Sequence, residues 1–161
     1  MLCTLIKGCH TLFSVTQVEA QYLDNPYHNS QHAAEVLHAT NYMLRHSKLV
    51  PVLTLEDRFA ILLATIVHDM GHPGRNNAFQ INTQSSFAVQ YNDMHVLEMH
   101  HAAQAFQIAQ QRPDCNIFKH LSPKSFKQVR SFMIELVLAT DMAKHFELVG
   151  VKCILQRYQK K

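Results

Sequence analysis

Helical periodicity runs through most of this 161-residue chain, and it limits the folds that the chain can adopt. Apolar residues recur every three or four positions between Ser30 and His46, and again between Ser122 and Leu148. There is no Asn-Gly or Asp-Gly hairpin turn, and no run of β-branched residues alternates with polar ones. The pattern therefore predicts an all-α fold.

Local signals indicate where several helices begin. Thr54-Leu55-Glu56-Asp57 is a variant of the capping box and predicts a helix that runs to about Asp69. Ser122-Pro123 joins a favoured N-cap to the residue favoured at the first helical position, and predicts a helix to about Leu148. Its predicted buried stripe comprises Phe126, Val129, Phe132, Met133, Leu136 and Val137. Further helices are predicted at Ser30–His46, at about His95–Gln110, and as short pieces between Pro73-Gly74 and Tyr91.

Histidine is the unusual residue of this sequence, with 12 copies. Seven of the 12 lie in four short clusters, at Tyr27–His32, His68–His72, Leu97–His101 and Thr140–His145. Imidazole nitrogens and carboxylate oxygens are zinc ligands, and three of these clusters also contain Asp or Glu. One such cluster alone would be an ordinary surface or core feature, whereas four in one chain favour metal chemistry.

Spacing indicates which side chains share a face. His28 and His32 are four apart, and Glu98 and His101 are three apart, so each pair shares one side of a helix. Asp141 follows a strongly apolar segment, where an unpaired charge is costly. Its partner is expected to be a histidine or a metal-bound water, and an ordinary helix pair with Lys144 or His145 is the alternative.

At these clusters the sequence resembles the class I 3′,5′-cyclic nucleotide phosphodiesterases, a group within the HD superfamily. The matching segments are Pro26–Asn29, His32–Val36, His68-Asp69, His72–Gly74 with Asn77, Tyr91–Asp93, Val96–Glu98, His100-His101 and Leu138–Met142. They run in the same order from about residue 25 to about residue 148. Within the family, the segments Asn76–Asp93, Cys115–Phe118 and Phe126–Gln128 are most similar to the cGMP-specific branch.

The resemblance implies two divalent metal ions, zinc plus magnesium or manganese. It implies that His32, His68 and Asp69 bind zinc, that Asp69 also reaches the second ion, and that His28 is the general acid. Residues that would hold metal-bound waters or support the ligands are His72, Asn77, Glu98, His101 and Asp141. Tyr27 and Met142 would line the substrate pocket.

The chain also departs from the family pattern. Gly71 stands where an acidic residue is common, and Met99 where Asn is usual. The family's catalytic domain is much longer, so residues 1–161 are expected to be a partial domain, truncated at both ends, with a divergent tail at Val149–Lys161. A further aspartate ligand and the purine-binding glutamine would lie beyond this chain. The apolar stripe of Ser122–Leu148 would then be uncovered, so the isolated chain is expected to be poorly stable, or to pair with another chain through exposed apolar patches.

The expected reaction is metal-dependent hydrolysis of cGMP, cAMP or both to nucleoside 5′-monophosphates. The alternative is a catalytically impaired fragment or isoform that acts through protein interaction. Another HD phosphohydrolase is disfavoured by the Tyr27-His28-Asn29 motif. Four cysteines without a C-x-x-C pair indicate reduced thiols and a cytoplasmic protein. The net charge of +3 does not require a nucleic acid partner, and no segment is long enough to span a membrane.

Overall fold

The computed structural model describes residues 16–48, 50–113 and 116–144. Within these ranges the chain forms α-helices and short 3₁₀ turns, with no strand, so the predicted all-α fold is confirmed. The helices are α1 (Ser30–His46), α2 (Leu55–Val67), α3 (Asn77–Asn82), α4 (Ser86–Tyr91), α5 (Val96–Gln111) and α6 (Pro123–Leu138). A helical turn at residues 16–19 precedes them, and 3₁₀ turns occupy Val50–Val52 and Met142–Lys144.

Side-chain caps fix the helix starts that the sequence predicted. Thr54 Oγ1 accepts a hydrogen bond from the Asp57 amide, and Asp57 Oδ2 accepts one from the Thr54 amide, each at 3.1 Å. This reciprocal pair satisfies two donors at the start of α2 that would otherwise lack partners. Ser122 caps α6 with Pro123 in its first turn, and Asn29 caps α1. The bounds predicted for α1 are confirmed.

Helix α2 is central to the packing, because α1, α5 and α6 all contact it. The apolar residues of α2, α5 and α6 form one buried core that also contains Met70 and Phe118. Burial of apolar surface stabilises a fold by about 25 cal/mol per Å². The core therefore holds the C-terminal end of α2 in a defined position relative to its neighbours.

The apolar stripe of α6 is covered within the chain itself. Val129, Met133 and Val137 are at most 1% exposed, and they belong to the same core as Ala60 and Val67 of α2. The prediction that this stripe would be left uncovered was therefore wrong. Exposed apolar side chains occur elsewhere, such as Tyr42 and Met43 on α1, which are 61% and 65% exposed.

Helix α6 ends at Leu138, whereas the sequence predicted that it would run to about Leu148. The amides of Thr140 and Asp141 turn back to carbonyls only three residues earlier, and the Asp141 side chain accepts a hydrogen bond from the Ala143 amide. Asp side chains that bond nearby amides compete with helix continuation. Residues 145–148 lie outside the described ranges. No helix within those ranges combines the length and apolarity needed to cross a membrane.

Candidate metal centre and active site

The end of α2 presents the central pair of site residues. His68 is the C-cap of α2, and Asp69 follows it into a loop that is closed by a hydrogen bond from the His72 amide to the Asp69 carbonyl, at 3.1 Å. Gly71 has a φ of 73°, and a Cβ there would lie 2.3 Å from Gln104 Oε1. Glycine is suited to both conditions because it tolerates positive φ and lacks Cβ. The departure from the family's acidic residue at this position thus has a local structural reason.

Three side chains converge beside this loop. Asp69 Oδ2 lies 3.4 Å from His32 Nε2 and 3.1 Å from His68 Nε2, and the three ligand atoms are all within 4.8 Å of one another. Donor atoms around a tetrahedral zinc ion, with bonds of about 2.1 Å, lie roughly 3.4 Å apart. The donor set therefore fits such an ion. The structure brings together the three residues predicted as ligands, and their role as ligands stays a prediction.

Neighbouring groups orient the donors. The Nδ1 atom of His68 donates a hydrogen bond to the Thr65 carbonyl at 2.9 Å, and this bond directs Nε2 towards Asp69. Burial alone would raise the pKa of Asp69, but the hydrogen bond and charge of His68 outweigh it and lower that pKa to about 2. For His68, burial lowers the pKa, but Asp69 outweighs it, so that the net pKa is raised. Below the raised pKa of His68 the two groups therefore form an ion pair.

Three further histidine rings surround the loop. The His28 and His72 rings stack with centroids 3.9 Å apart and planes 9° apart. Burial lowers the pKa of His72 to about 4 and that of His101 to about 3. His101 donates from Nδ1 to the Met70 carbonyl at 2.7 Å. His72 and His101 are therefore neutral near neutral pH, and each has a defined hydrogen-bonding direction, since His72 Nδ1 accepts from the Gly74 amide.

Asn77 fixes the first turn of α5 against the start of α3. Its Nδ2 donates to Glu98 Oε2 at 2.9 Å, and its Oδ1 accepts from the Leu97 amide at 2.9 Å. Burial raises the pKa of Glu98, and the hydrogen bond from Asn77 only partly opposes this effect. The predicted supporting role of Asn77 thus acquires a geometric basis, because it holds the carboxylate of Glu98 in one orientation.

The three converging donors, the surrounding histidine rings and Glu98 line one open cavity of about 930 Å³. That volume lies within the range of about 300–1,000 Å³ typical of small-molecule sites. Besides the three converging side chains, the lining includes Tyr27, His28, His72, Glu98, His101 and Met142. Tyr27 and Met142, predicted for the substrate pocket, lie at its exposed edge, at 63% and 70% exposure.

Asp141 is buried, and it is absent from the cavity lining. Its Oδ2 lies 2.7 Å from Nδ1 of His95, a residue with a φ of 44° at the N-cap of α5. The expected partner is thus a histidine, but it is one that the sequence analysis did not consider. The sequence signal that pointed to this pair was Asp141 itself, because a carboxylate next to an apolar segment needs a partner. His95, Glu98 and Asp141 also form a second group that could hold a metal ion, although His95 Nδ1 and Asp141 Oδ2 are already hydrogen-bonded to each other.

Two other cavity residues had no signal in the sequence. The Arg75 guanidinium lies 5.3 Å from the centroid of the Phe79 ring, and both residues line the cavity. Cation–π contacts at this distance are favourable. Together they place one positive charge and one exposed aromatic ring at the side of the cavity formed by the start of α3.

The fold and the site define an all-α domain in which adjacent His and Asp at the end of a buried helix, with a third donor from a neighbouring helix, could hold a metal ion. Residues 27–160 match the family profile described as 3′5′-cyclic nucleotide phosphodiesterase. The chain belongs to that family.

Individual relatives with phosphodiesterase names are also similar to this chain. The high affinity cAMP-specific and IBMX-insensitive 3′,5′-cyclic phosphodiesterase 8A of Mus musculus is 49% identical over 134 residues, covering 83% of this chain and 16% of the relative. The high affinity cGMP-specific 3′,5′-cyclic phosphodiesterase 9A of Homo sapiens is 44% identical over 132 residues, covering 82% of this chain and 22% of the relative. The phosphodiesterase domain of Salpingoeca rosetta rhodopsin phosphodiesterase superimposes with a TM-score of 0.84 and 38% identity, covering 88% of this chain and 42% of that domain.

The chain therefore spans less than a quarter of these two curated relatives and less than half of the solved domain. Relatives named for cAMP and for cGMP both match it. The similarity to the cGMP-specific branch stays a prediction.

Proposed function

We propose that this protein hydrolyses the 3′,5′-cyclic phosphodiester of cGMP, cAMP or both to a nucleoside 5′-monophosphate. The observation that carries the proposal is the convergence of His32, His68 and Asp69 at a cavity that His28 also lines. Relatives named for this reaction support it.

Metal ions are part of the proposal. His32, His68 and Asp69 would hold zinc, and Asp69 would also reach a magnesium or manganese ion. When bound, such ions make water a stronger nucleophile near neutral pH and stabilise negative charge on phosphoryl oxygens. The Thr65 carbonyl would keep one proton of the His68 ring on Nδ1, so that Nε2 could bind zinc after losing its own proton.

His28 would act as the general acid. Its ring is not one of the three converging donors, and it stacks on His72 at the edge of the cavity. Water would first give up a proton to solvent. As the resulting hydroxide oxygen forms its bond to phosphorus, the bond from phosphorus to O3′ would break, and the leaving oxygen would take a proton from His28, which solvent then restores. A positioned acid of this kind contributes on the order of 10²–10⁴-fold to the rate.

The remaining lining residues would position water and substrate. The neutral rings of His72 and His101 and the carboxylate of Glu98 offer hydrogen-bonding groups around the converging donors. Asn77 holds Glu98 in place. Tyr27 and Met142 supply apolar surface at the cavity edge, where a purine could rest.

The proposal is tested by incubating the purified chain with Zn²⁺ and Mg²⁺ and measuring release of 5′-monophosphate from cGMP and from cAMP. We expect turnover by the wild type and by His38→Ala, a control at an exposed histidine of α1. His32→Ala should abolish turnover because it removes one of the three donors. A folded, zinc-loaded wild type that leaves both nucleotides intact would refute the proposal and favour the catalytically impaired alternative, which acts through protein interaction.

Two further expectations belong to the proposal. A cytoplasmic location follows from the expectation of reduced cysteines, and measuring free thiols in protein isolated without reductant tests that expectation.

Self-association cannot use the stripe of α6, which is covered, so it would have to use exposed residues such as Tyr42 and Met43. Sedimentation of the chain as a monomer across a wide concentration range would exclude it.

A further inference from the structure

Residues 16–25 lie before the segment that matches the family profile, and they contact both ends of the loop that carries Asp69. The Tyr22 hydroxyl donates to the Ile66 carbonyl at 2.7 Å, just before the loop. The Asn25 side-chain amide donates to the His72 carbonyl at 2.7 Å, where the loop ends. Two residues that are close together in sequence thus donate hydrogen bonds to the two ends of a segment that lies more than 40 residues away.

The contact at Ile66 gives a hydrogen-bond donor to a carbonyl in the last turn of α2. Carbonyls in the last turn of a helix lack partners from within the helix. Here the Met70 amide bonds to Val67, so it is not the partner of Ile66. The Tyr22 hydroxyl takes that place, while the ring of Tyr22 packs against the core. A tyrosine hydroxyl is protonated near neutral pH and can therefore donate this hydrogen bond.

The contact at His72 is part of a denser junction. Asn25 also donates to the His28 carbonyl at 3.1 Å, and its own carbonyl accepts from the Asn29 side chain at 2.9 Å. A Cβ at Gly74 would lie only 2.9 Å from Asn25 Oδ1. Asn25 therefore packs tightly between the segment that carries His28 and the turn that follows His72.

We propose that Tyr22 and Asn25 are positioning residues that hold both ends of the segment Ile66–His72, from the last turn of α2 to the end of the loop, and so keep His68 and Asp69 in metal-binding geometry. The inference rests on the metal site in the proposed function, but it does not require that the chain hydrolyse cyclic nucleotides. Donor atoms must be held within about 0.5 Å of their working positions for tight binding. Groups that orient metal ligands in this way typically change metal affinity about 10- to 100-fold when they are removed.

The test uses the whole chain and two metal readouts. Zn²⁺ affinity is measured by competition with a chromophoric chelator, and the visible absorption of the Co²⁺-loaded protein reports ligand geometry. Tyr22→Phe removes only the hydroxyl, and we expect its Zn²⁺ affinity to fall about 10-fold or more with an altered Co²⁺ spectrum. Tyr42→Phe is the matched control, because Tyr42 is 61% exposed on α1, and it should leave both readouts unchanged.

Urea unfolding of the metal-free variants separates positioning from general stability. Unchanged affinity and an unchanged Co²⁺ spectrum in folded Tyr22→Phe would overturn the role of Tyr22. If that variant fails to fold, Asn25→Ala provides the same test at the other end of the loop. A wild type that binds no Zn²⁺ would overturn this inference and the metal site together, whereas a zinc-binding wild type without turnover would contradict only the proposed function.

Discussion

The ion pair between His68 and Asp69 makes a quantitative prediction for the metal-free protein. The pKa of Asp69 falls from its ordinary value of 3.8 to about 2 in the fold. At about 1.4 kcal/mol per pKa unit, the charged carboxylate contributes about 2 kcal/mol to the free energy of unfolding. The side chain is only 15% exposed, so screening by solvent removes little of this contribution.

The sign of each shift defines the pH window. Because the folded pKa of Asp69 is lowered, its contribution is complete above about pH 3.8 and is lost as the pH falls towards 2. Because the folded pKa of His68 is raised, its contribution is complete below its ordinary value of 6.5 and is lost as the pH rises through the raised value. The pair is therefore most stabilising between about pH 4 and 6.5.

The assay compares urea unfolding of wild type and Asp69→Asn in EDTA from pH 2.5 to pH 9. We expect a difference of about 2 kcal/mol near pH 5.5 that shrinks towards both ends of the range. Asp24→Asn, at an exposed aspartate, is the matched control and should differ from wild type by less than about 0.5 kcal/mol throughout. A difference between wild type and Asp69→Asn that is constant with pH, or that grows on acidification, would refute the ion-pair reasoning.

Three other predictions address separate parts of the molecule. In the hydrolysis assay, His28→Ala should slow turnover on the order of 10²–10⁴-fold with zinc content unchanged by metal analysis, and loss of zinc would show that His28 is a ligand. Met133→Ala, at 1% exposure in the core, should lower the free energy of urea unfolding by about 2–5 kcal/mol, whereas Met142→Ala, at 70% exposure, should have almost no effect. His95→Ala should lower the free energy of urea unfolding by about 1–3 kcal/mol, because it leaves buried Asp141 without its imidazole partner. A decrease of less than about 0.5 kcal/mol would contradict this pairing.

Local features of the fold could be predicted because their causes lie within a few residues of one another. The capping box joins Thr54 to Asp57, and the start of α6 depends on Ser122 and Pro123, so neighbouring residues suffice to define them. The convergence of His32 with His68 and Asp69 was anticipated through the family resemblance, since spacing alone cannot show that α1 packs beside the end of α2.

Other features were missed because their partners are remote in sequence. The end of α6 depends partly on Asp141, whose side chain is held by His95, and the two residues are separated by 46 positions. The coverage of the α6 stripe depends on α2 lying against it, which helical periodicity within α6 does not specify. Periodicity identifies an apolar face but not the surface that will cover it.

The sequence by itself determined that this chain is helical, where several helices begin, and which imidazole and carboxylate groups are available for metal chemistry. Only the tertiary structure decided that α2 covers the stripe of α6, that His95 pairs with Asp141, and that Tyr22 and Asn25 grip the loop of Asp69. The physical reason is that caps and helical periodicity act over a few residues, whereas these contacts form only once packing has brought distant segments within hydrogen-bonding range.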